Sequence, residues 1–405
     1  MEVLYKSCCG LDVHKKIIVA CIINDNKKET KSFGAMTEEL LELIDWIKFN
    51  KCEAVAMEST GVFWKPIYNL LELENIKTLV VNAKHIKAVP GRKTDVKDSE
   101  WIADLLKHGL LRGSFIPSRD QRELRELVRY RRSIISERSR EISRIQKILQ
   151  GANIKLDSVA SNILGVSGRH MIEKIIEGNT DCNTLAELAK GKLKNKIPEL
   201  KKALNGLIAD HQKMILKAQL KHIDFLSSYI SSLNEEIENR LKKSQDLIQL
   251  IDEIPSIAKV SAEEIISEIG TNMDQFPSEA HISAWAGLCP SNNESAGKRK
   301  SASSREGNKH LRSTLVECAH NASLHKNSYF YSQYHRIAAR RGPNKAAIAV
   351  AHSMLIVIYN MIKNKQHYNE LGIDYFDKKN SESKAKKLAK KIEALGYSVT
   401  IQKAS

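Results

Sequence analysis

Changes in the spacing of hydrophobic and polar positions divide this chain into parts. Cys8 to Asn24 reads as two β-rich runs with a polar break at His14–Lys16, and the turn at Asn24–Lys28 leads into a third short strand. Thr37 to Phe49 changes to helical spacing, with Leu40, Leu41, Leu43, Ile44, Trp46 and Ile47 forming an apolar stripe. A strand is predicted at Glu53–Met57, a helix after Gly61, a strand at Thr78–Val81, and helices over 84–89 and 95–109. Strands first and alternation afterwards suit a mixed sheet flanked by helices.

From Ser118 to Gln150 neither Gly nor Pro interrupts the pattern. Leu124, Leu127, Ile135, Ile142, Ile145 and Leu149 recur near heptad spacing, with Arg131 and Arg138 on the same seam, which predicts a long helix. Residues 151–200 read as short helices. A second long helical stretch, Lys201 to Gln249, can lie antiparallel to the first and complete a coiled-coil arm. After Asp252, Ile254–Ala258 and a helix to Ile269 resemble a helix-hairpin-helix unit, with Ser256 and Ala258 where such units use glycine. Ala346–Ile362 is the most apolar stretch, but His352, Ser353 and Asn360 interrupt it, so a buried helix is expected rather than a membrane span. The tail from Lys378 is Lys-rich and amphipathic, with a short strand predicted at Ser398–Gln402. The expected fold class is α/β plus all-α, divided at 1–115, 116–249, 250–375 and 376–405.

Composition narrows the function. The 405 residues carry 64 Lys+Arg against 48 Asp+Glu, a net +16, and 42% are hydrophobic, which excludes a disordered tail or a small disulfide scaffold. The seven cysteines, Cys8, Cys9, Cys21, Cys52, Cys182, Cys289 and Cys318, form no C-x-x-C pair, so reduced thiols are expected and a structural zinc site is not. Met1–Lys6 has no basic region leading into an apolar run, which points to a cytoplasmic protein. Ser291–Lys345 holds eleven basic and three acidic residues, a surplus of eight that accounts for half of the total. Lys298, Arg299, Lys300, Arg305, Lys309 and Arg312 lie in that block. Arg122, Arg125, Arg129 and Arg132 form a second concentration, spaced to share one helix face. Two such blocks favour a polyanion, and the absence of Trp and Phe from 119–150 favours nucleic acid over a membrane surface.

Four acids stand out by position. Asp12 closes the first predicted strand, Glu58 ends the fourth, and Asp95 and Asp98 fall three apart where a helix begins. Gathered on one sheet edge, they would repel unless cations were present, and two Mg²⁺ ions would balance them in phosphodiester chemistry. Read singly, each has an ordinary alternative: Asp95 and Asp98 in a helix cap and first turn, Glu58–Gly61 as a strand-to-helix turn. The motifs Gly10-Leu11-Asp12-Val13-His14-Lys15, Glu58-Ser59-Thr60-Gly61 and Lys93-Thr94-Asp95-Val96-Lys97-Asp98 resemble those of the IS110 family of insertion-sequence transposases, relatives of the pilin-gene invertases. The resemblance implies an RNase H-like, RuvC-like first domain whose Asp12, Glu58, Asp95 and Asp98 form a metal site.

A second region offers a nucleophile. Gly287–Arg299 and Arg305–Arg312 set small residues and several serines among basic side chains, a setting in which a hydroxyl can attack phosphorus or a loop can simply touch phosphate. This stretch resembles the family's Gly-Leu-x-Pro signature with its Ser-Gly-rich turn, and that likeness assigns the attacking serine to Ser295, with Ala296 standing where the family commonly has glycine. The resemblance further implies a site-specific recombinase that cuts and rejoins donor and target double-stranded DNA through a phosphoserine link. It also implies a structured bridge RNA as guide and a dimer or tetramer, with no membrane. The rival expectations are a metal-dependent junction nuclease without a covalent step, and a non-catalytic nucleic-acid-binding scaffold.

Overall fold

A computed structural model describes residues 3–25, 27–82, 86, 98–290, 294–295, 298–299, 306–379 and 381–400. It divides into two compact units, Met1–Pro117 and Ser118–Ser405.

The first unit begins with β1 (Ser7–Val13), β2 (Ile17–Asn24) and β3 (Lys27–Gly34), then α1 (Thr37–Phe49), β4 (Ala54–Glu58), α2 (Trp64–Leu73), β5 (Thr78–Val81) and α3 (Asp98–Lys107). The sheet order is β3-β2-β1-β4-β5; β2 pairs antiparallel with both β1 and β3, while β4 pairs parallel with β1 and β5. This is the mixed sheet that the order of strands predicts. Period-2 alternation sends Cys9, Leu11, Val55 and Met57 into a core with Leu43, Ile47, Ile67 and Leu71 of α1 and α2. The opposite face packs Cys8, Ala54 and Ala56 against Ile102, Ala103 and Leu106 of α3.

In the second unit α4 (Arg119–Gly151) is one unbroken helix, followed by α5 (Leu156–Val159), α6 (Val166–Ile176), α7 (Cys182–Glu187) and α8 (Ile197–Ala203), the short helices expected there. Then comes α9 (Asp210–Arg240). The second long stretch is thus interrupted before Asp210: Gly206 lies where a Cβ would stand 2.4 Å from the Ala152 carbonyl oxygen, so the chain turns tightly there. It breaks again after Arg240 and resumes as α10 (Gln245–Asp252). Glu123 pairs with Arg240, Arg131 with Asn234 and Arg138 with Ser227, an order that makes α4 and α9 antiparallel.

The remaining elements are α11 (Lys259–Ile269), α12 (Glu279–Trp285), the hairpin strands β6 (Glu294–Ser295) and β7 (Lys298–Arg299), α13 (Lys309–Ala322), α14 (Tyr329–Arg341), α15 (Pro343–Asn364), α16 (Tyr375–Lys379) and α17 (Ser381–Glu393). Ser256, between α10 and α11, takes φ +76°, the left-handed conformation that glycine supplies in the hairpin it resembles. By length and apolarity α15 could cross a membrane, but Ala346, Ala347, Val350, Ala351, Met354, Leu355 and Ile358 are fully buried inside the unit, as a core helix requires. The strand expected at Ser398–Gln402 does not form over 398–400, and 401–402 lie outside the described residues. None of the seven cysteines forms a disulfide. Burial pushes the Cys8 thiol up to about 12 and those of Cys52 and Cys318 up to about 11, which leaves them un-ionised.

Gly10 governs how α3 lies on the sheet. A Cβ there would stand 2.3 Å from the Ser99 carbonyl oxygen and 2.4 Å from the Ala103 nitrogen, both backbone atoms that cannot swing aside. Gly10→Ala should therefore lift α3 from β1 and cost about 1–3 kcal/mol, read as a fall in the melting midpoint of the first unit. An unchanged midpoint would show that α3 repacks freely.

Candidate active site and nucleic-acid interface

Three of the four expected carboxylates reach one corner of the first unit through topology. β1 and β4 run parallel with Leu11 opposite Met57, so Asp12 and Glu58 follow as neighbours at the carboxyl ends of adjacent strands. Both continue the series Cys8, Gly10, Asp12 and Ala54, Ala56, Glu58, the face covered by α3. The α3 helix runs opposite to β1: the Lys107 carbonyl accepts from the Leu4 nitrogen, the Ala103 carbonyl meets Cys8 Sγ, and Ser99 lies over Gly10. Asp98, one residue before Ser99, therefore sits at the end of the sheet that carries Asp12 and Glu58.

The corner is open to solvent. Asp12 is 21% exposed, with the His14 ring nitrogen Nε2 at 3.1 Å from its Oδ2. Glu58 is half-buried and accepts from Thr60 Oγ1 at 3.4 Å, while Asp98 is exposed. Asp95 lies outside the described residues. Among the described residues no three His, Cys, Asp or Glu side chains come close enough to hold a metal ion. The carboxylates present are oxygen donors, the type Mg²⁺ prefers.

Ser295 lies in the second unit. β6 and β7 pair antiparallel, Glu294 with Arg299 and Ser295 with Lys298, so Ser295 and Lys298 face each other across a two-stranded ladder. Lys300 and Arg305 lie outside the described residues. The chain leaves α12 at Trp285–Gly287 and returns at Gly307–Asn308 to the same place. Asn308 N donates to the Trp285 carbonyl at 2.9 Å, and a Cβ on Gly307 would stand 2.3 Å from the Gly287 nitrogen. Only glycine permits this approach.

Past Asn308, Lys309 and Arg312 line a groove of about 520 Å³ together with Ser313, His320 and Asn344. Neither cation forms an ion pair among the described residues. The first turn of α15, which contributes Asn344, contains no acid. This open, basic surface can take phosphate.

The arginines of α4 are placed differently from the expected nucleic-acid stripe. Arg122, Arg125, Arg129 and Arg132 share a face, as their spacing predicts, but the last three turn onto buried acids of the same unit. Arg129 grips Glu268 as a fork, Nε to Oε1 at 2.7 Å and Nη2 to Oε2 at 2.9 Å. Arg125, 12% exposed, places Nε 3.4 Å from Glu268 Oε2 and its guanidinium 5.6 Å from the centre of the Trp285 ring. Arg132 donates to Glu264, to Thr314 Oγ1 at 2.6 Å and to Glu317 Oε2 at 2.8 Å. On the neighbouring helix face the buried Arg131 pairs with Glu263 at 2.6 Å, and its Nε and Nη2 meet no partner among the described residues. Arg122 is half-buried and engaged as well.

The residues that the sequence reading overlooked are Glu263, Glu264 and Glu268, all buried on α11. One signal pointed to them: Glu264 and Glu268 are four apart on a helix, the spacing that matches the arginine stripe of α4. Burial pushes the Glu268 carboxyl up, but Arg129, Asn308 and Arg125 outweigh it and hold the group below the ordinary glutamate value. Burial, reinforced by Arg129 and opposed by Glu268, lowers His310, so its ring is neutral near pH 7.

Strand-end carboxylates in one unit and an open basic groove in the other suit a protein that acts on nucleic acid. Comparison with known proteins agrees. A transposase model of the IS110 DEDD type matches residues 9–154, and the model for transposases of the IS116/IS110/IS902 family matches residues 248–335. Together they span more than half of the chain, which belongs to the IS110 family of transposases. The transposase for insertion sequence element IS1111A of Coxiella burnetii is 22% identical over 369 residues, 89% of this chain and 90% of that protein.

Two measurements separate the two sets of cations. Lys309→Ala and Arg312→Ala should each reduce the salt slope of DNA binding by about one. Arg129→Ala should leave that slope unchanged and destabilise the second unit by on the order of 2 kcal/mol, because Glu268 loses its fork; a reduced slope would place Arg129 against phosphate. The lowered Glu268 carboxyl contributes stability that is present above the unfolded value of about 4.3 and lost as pH falls through the folded one. Acid unfolding of the second unit should accordingly be shallower in Glu268→Gln, and an identical acid limb would contradict the ionised pair.

Proposed function

We propose that this transposase cuts and rejoins DNA through a covalent bond to Ser295, with Asp12, Glu58, Asp95 and Asp98 as the ligands of two Mg²⁺ ions. The observation that carries the reading is the opposed run of α3 on β1, which returns Asp98 to the strand ends bearing Asp12 and Glu58. Asp12 and Glu58 end adjacent parallel strands, and Asp98 begins the helix that returns to that end of the sheet. The oxygen-only donor chemistry suits Mg²⁺, which when bound would offset charge on the attacking and leaving oxygens of a phosphodiester.

The chain's own groups supply the rest. Ser295 Oγ attacks phosphorus and loses its proton; the bond from phosphorus to one deoxyribose oxygen breaks, and that oxygen leaves as a hydroxyl. The phosphoserine keeps the energy of the broken ester, so a DNA hydroxyl can reverse the step on another strand and free the serine. Lys298 and Arg299 adjoin Ser295 in the hairpin, and Lys309 and Arg312 line the groove at the start of α13. These cations suit the charge on the phosphoryl group and the backbone of a donor or target duplex. Contacts limited to backbone suit a protein whose sequence choice is delegated to a bridge RNA that pairs with the DNA. Holding two duplexes at once calls for a dimer or tetramer.

The test uses a DNA substrate carrying the element's ends. Ser295→Ala should abolish the covalent protein–DNA adduct, and Asp12→Asn or Glu58→Gln should reduce strand cleavage at least a hundredfold while leaving DNA binding within about twofold. Undiminished cutting by Ser295→Ala would make the protein a junction nuclease. Full cleavage by both carboxylate variants would remove the metal site from the reaction, and a wild-type protein that binds the DNA without cutting it would be a scaffold.

A further inference from the structure

The basic groove and the carboxylate corner belong to the function already described, but the buried acid Glu268 does not. It touches no open surface, yet the contacts of its side chain lead to the segment that carries the nucleophile. Arg129 fixes both of its oxygens, so the carboxylate cannot rotate. Oε2 also accepts from Asn308 Nδ2 at 2.6 Å. Asn308 has a second duty: its Oδ1 accepts from the backbone nitrogens of His310 and Leu311, each at 3.1 Å, and so caps α13. Its own nitrogen closes the chain against the Trp285 carbonyl at 2.9 Å. A single amide thereby joins the arginines of α4, the acid of α11, the start of α13 and the base of the segment bearing Ser295.

We propose that Glu268 is a positioning residue for transposition, acting through Asn308 on the backbone that carries Ser295. The capping bonds alone leave Asn308 free to tilt with α13. Its tie to a carboxylate held by Arg129 sets where Gly307 meets Gly287, the two ends between which the Ser295 segment is held. The α4 helix therefore orients the serine segment without touching DNA through Arg129. The reading rests on Ser295 as nucleophile only for what the segment does, since the bond itself is a feature of the second unit.

Exchange of the two functional groups tests the idea. Asn308→Asp keeps the cap on α13 but sets a carboxylate against Glu268 in place of the amide donor. In the full chain with its element DNA, assayed well below the melting midpoint that the facing carboxylates lower, excision should fall about tenfold or more, while DNA affinity stays near the wild-type value. Backbone amide exchange between Trp285 and Leu311 should become faster. The double variant Glu268→Gln with Asn308→Asp restores one donor and one acceptor with their places swapped, and should return excision to within about threefold of wild type and slow the exchange again. Excision by Asn308→Asp within twofold of wild type, or a folded double variant without recovery, would overturn the proposal. A wild-type protein that excises its element without forming a covalent adduct would refute Ser295 chemistry, yet the exchange and rescue pattern would still decide the role of Glu268.

Discussion

Buried charge is the constraint on which the second unit depends. Glu263, Glu264 and Glu268 are almost wholly removed from water, and an uncompensated carboxylate in such a place is costly. Each finds an arginine of α4: Arg131, Arg132 and Arg129. A hydrophobic contact tolerates sliding, whereas the forked Arg129–Glu268 pair does not, so it fixes the register between α4 and α11, with the single bonds of Arg131 and Arg132 beside it. The long helix is thereby locked to α11, α12 and α13 as part of one compact unit, even though heptad-like spacing suggests a separate arm.

Backbone proximity plays the corresponding part in the first unit. Gly10 lets α3 descend onto β1 until carbonyl and amide atoms occupy the space of a side chain. Because α3 runs against β1, that descent brings the first turn of the helix to the carboxyl ends of the strands. The aliphatic residues of α3 hold it there, with Ile102, Leu105 and Leu106 buried over the sheet. A glycine at mid-strand thus decides where the first turn of α3 lies. Gly307 repeats the device in the second unit, where its contact with Gly287 closes the segment that presents Ser295.

Local period and turn chemistry made much of the fold legible. The alternation in β1 and β2, the stripe of α1 and the Gly- and Pro-free run of α4 are properties of neighbouring residues, and they form as their spacing predicts. The strand ends at Asp12 and Glu58 follow from where the alternation stops. The interruption at Gly206 was not legible, because its cause is the carbonyl of Ala152, more than fifty positions earlier. Nor does the strand predicted at Ser398–Gln402 form over its described residues, 398–400, since a strand needs a neighbour to complete its hydrogen bonds.

The sequence by itself determined the mixed sheet, the long helices, the family and the chemical types of the candidate groups, all of which depend on composition and short-range spacing. Only the tertiary structure decided what each charge faces. Four arginines at helical spacing look alike whether they meet phosphate or carboxylate, and the difference lies in which helix packs over them. Lys309 and Arg312 were left to solvent while Arg125, Arg129 and Arg132 were drawn inward, because α11 happens to carry acids at a matching spacing and has nowhere else to place them.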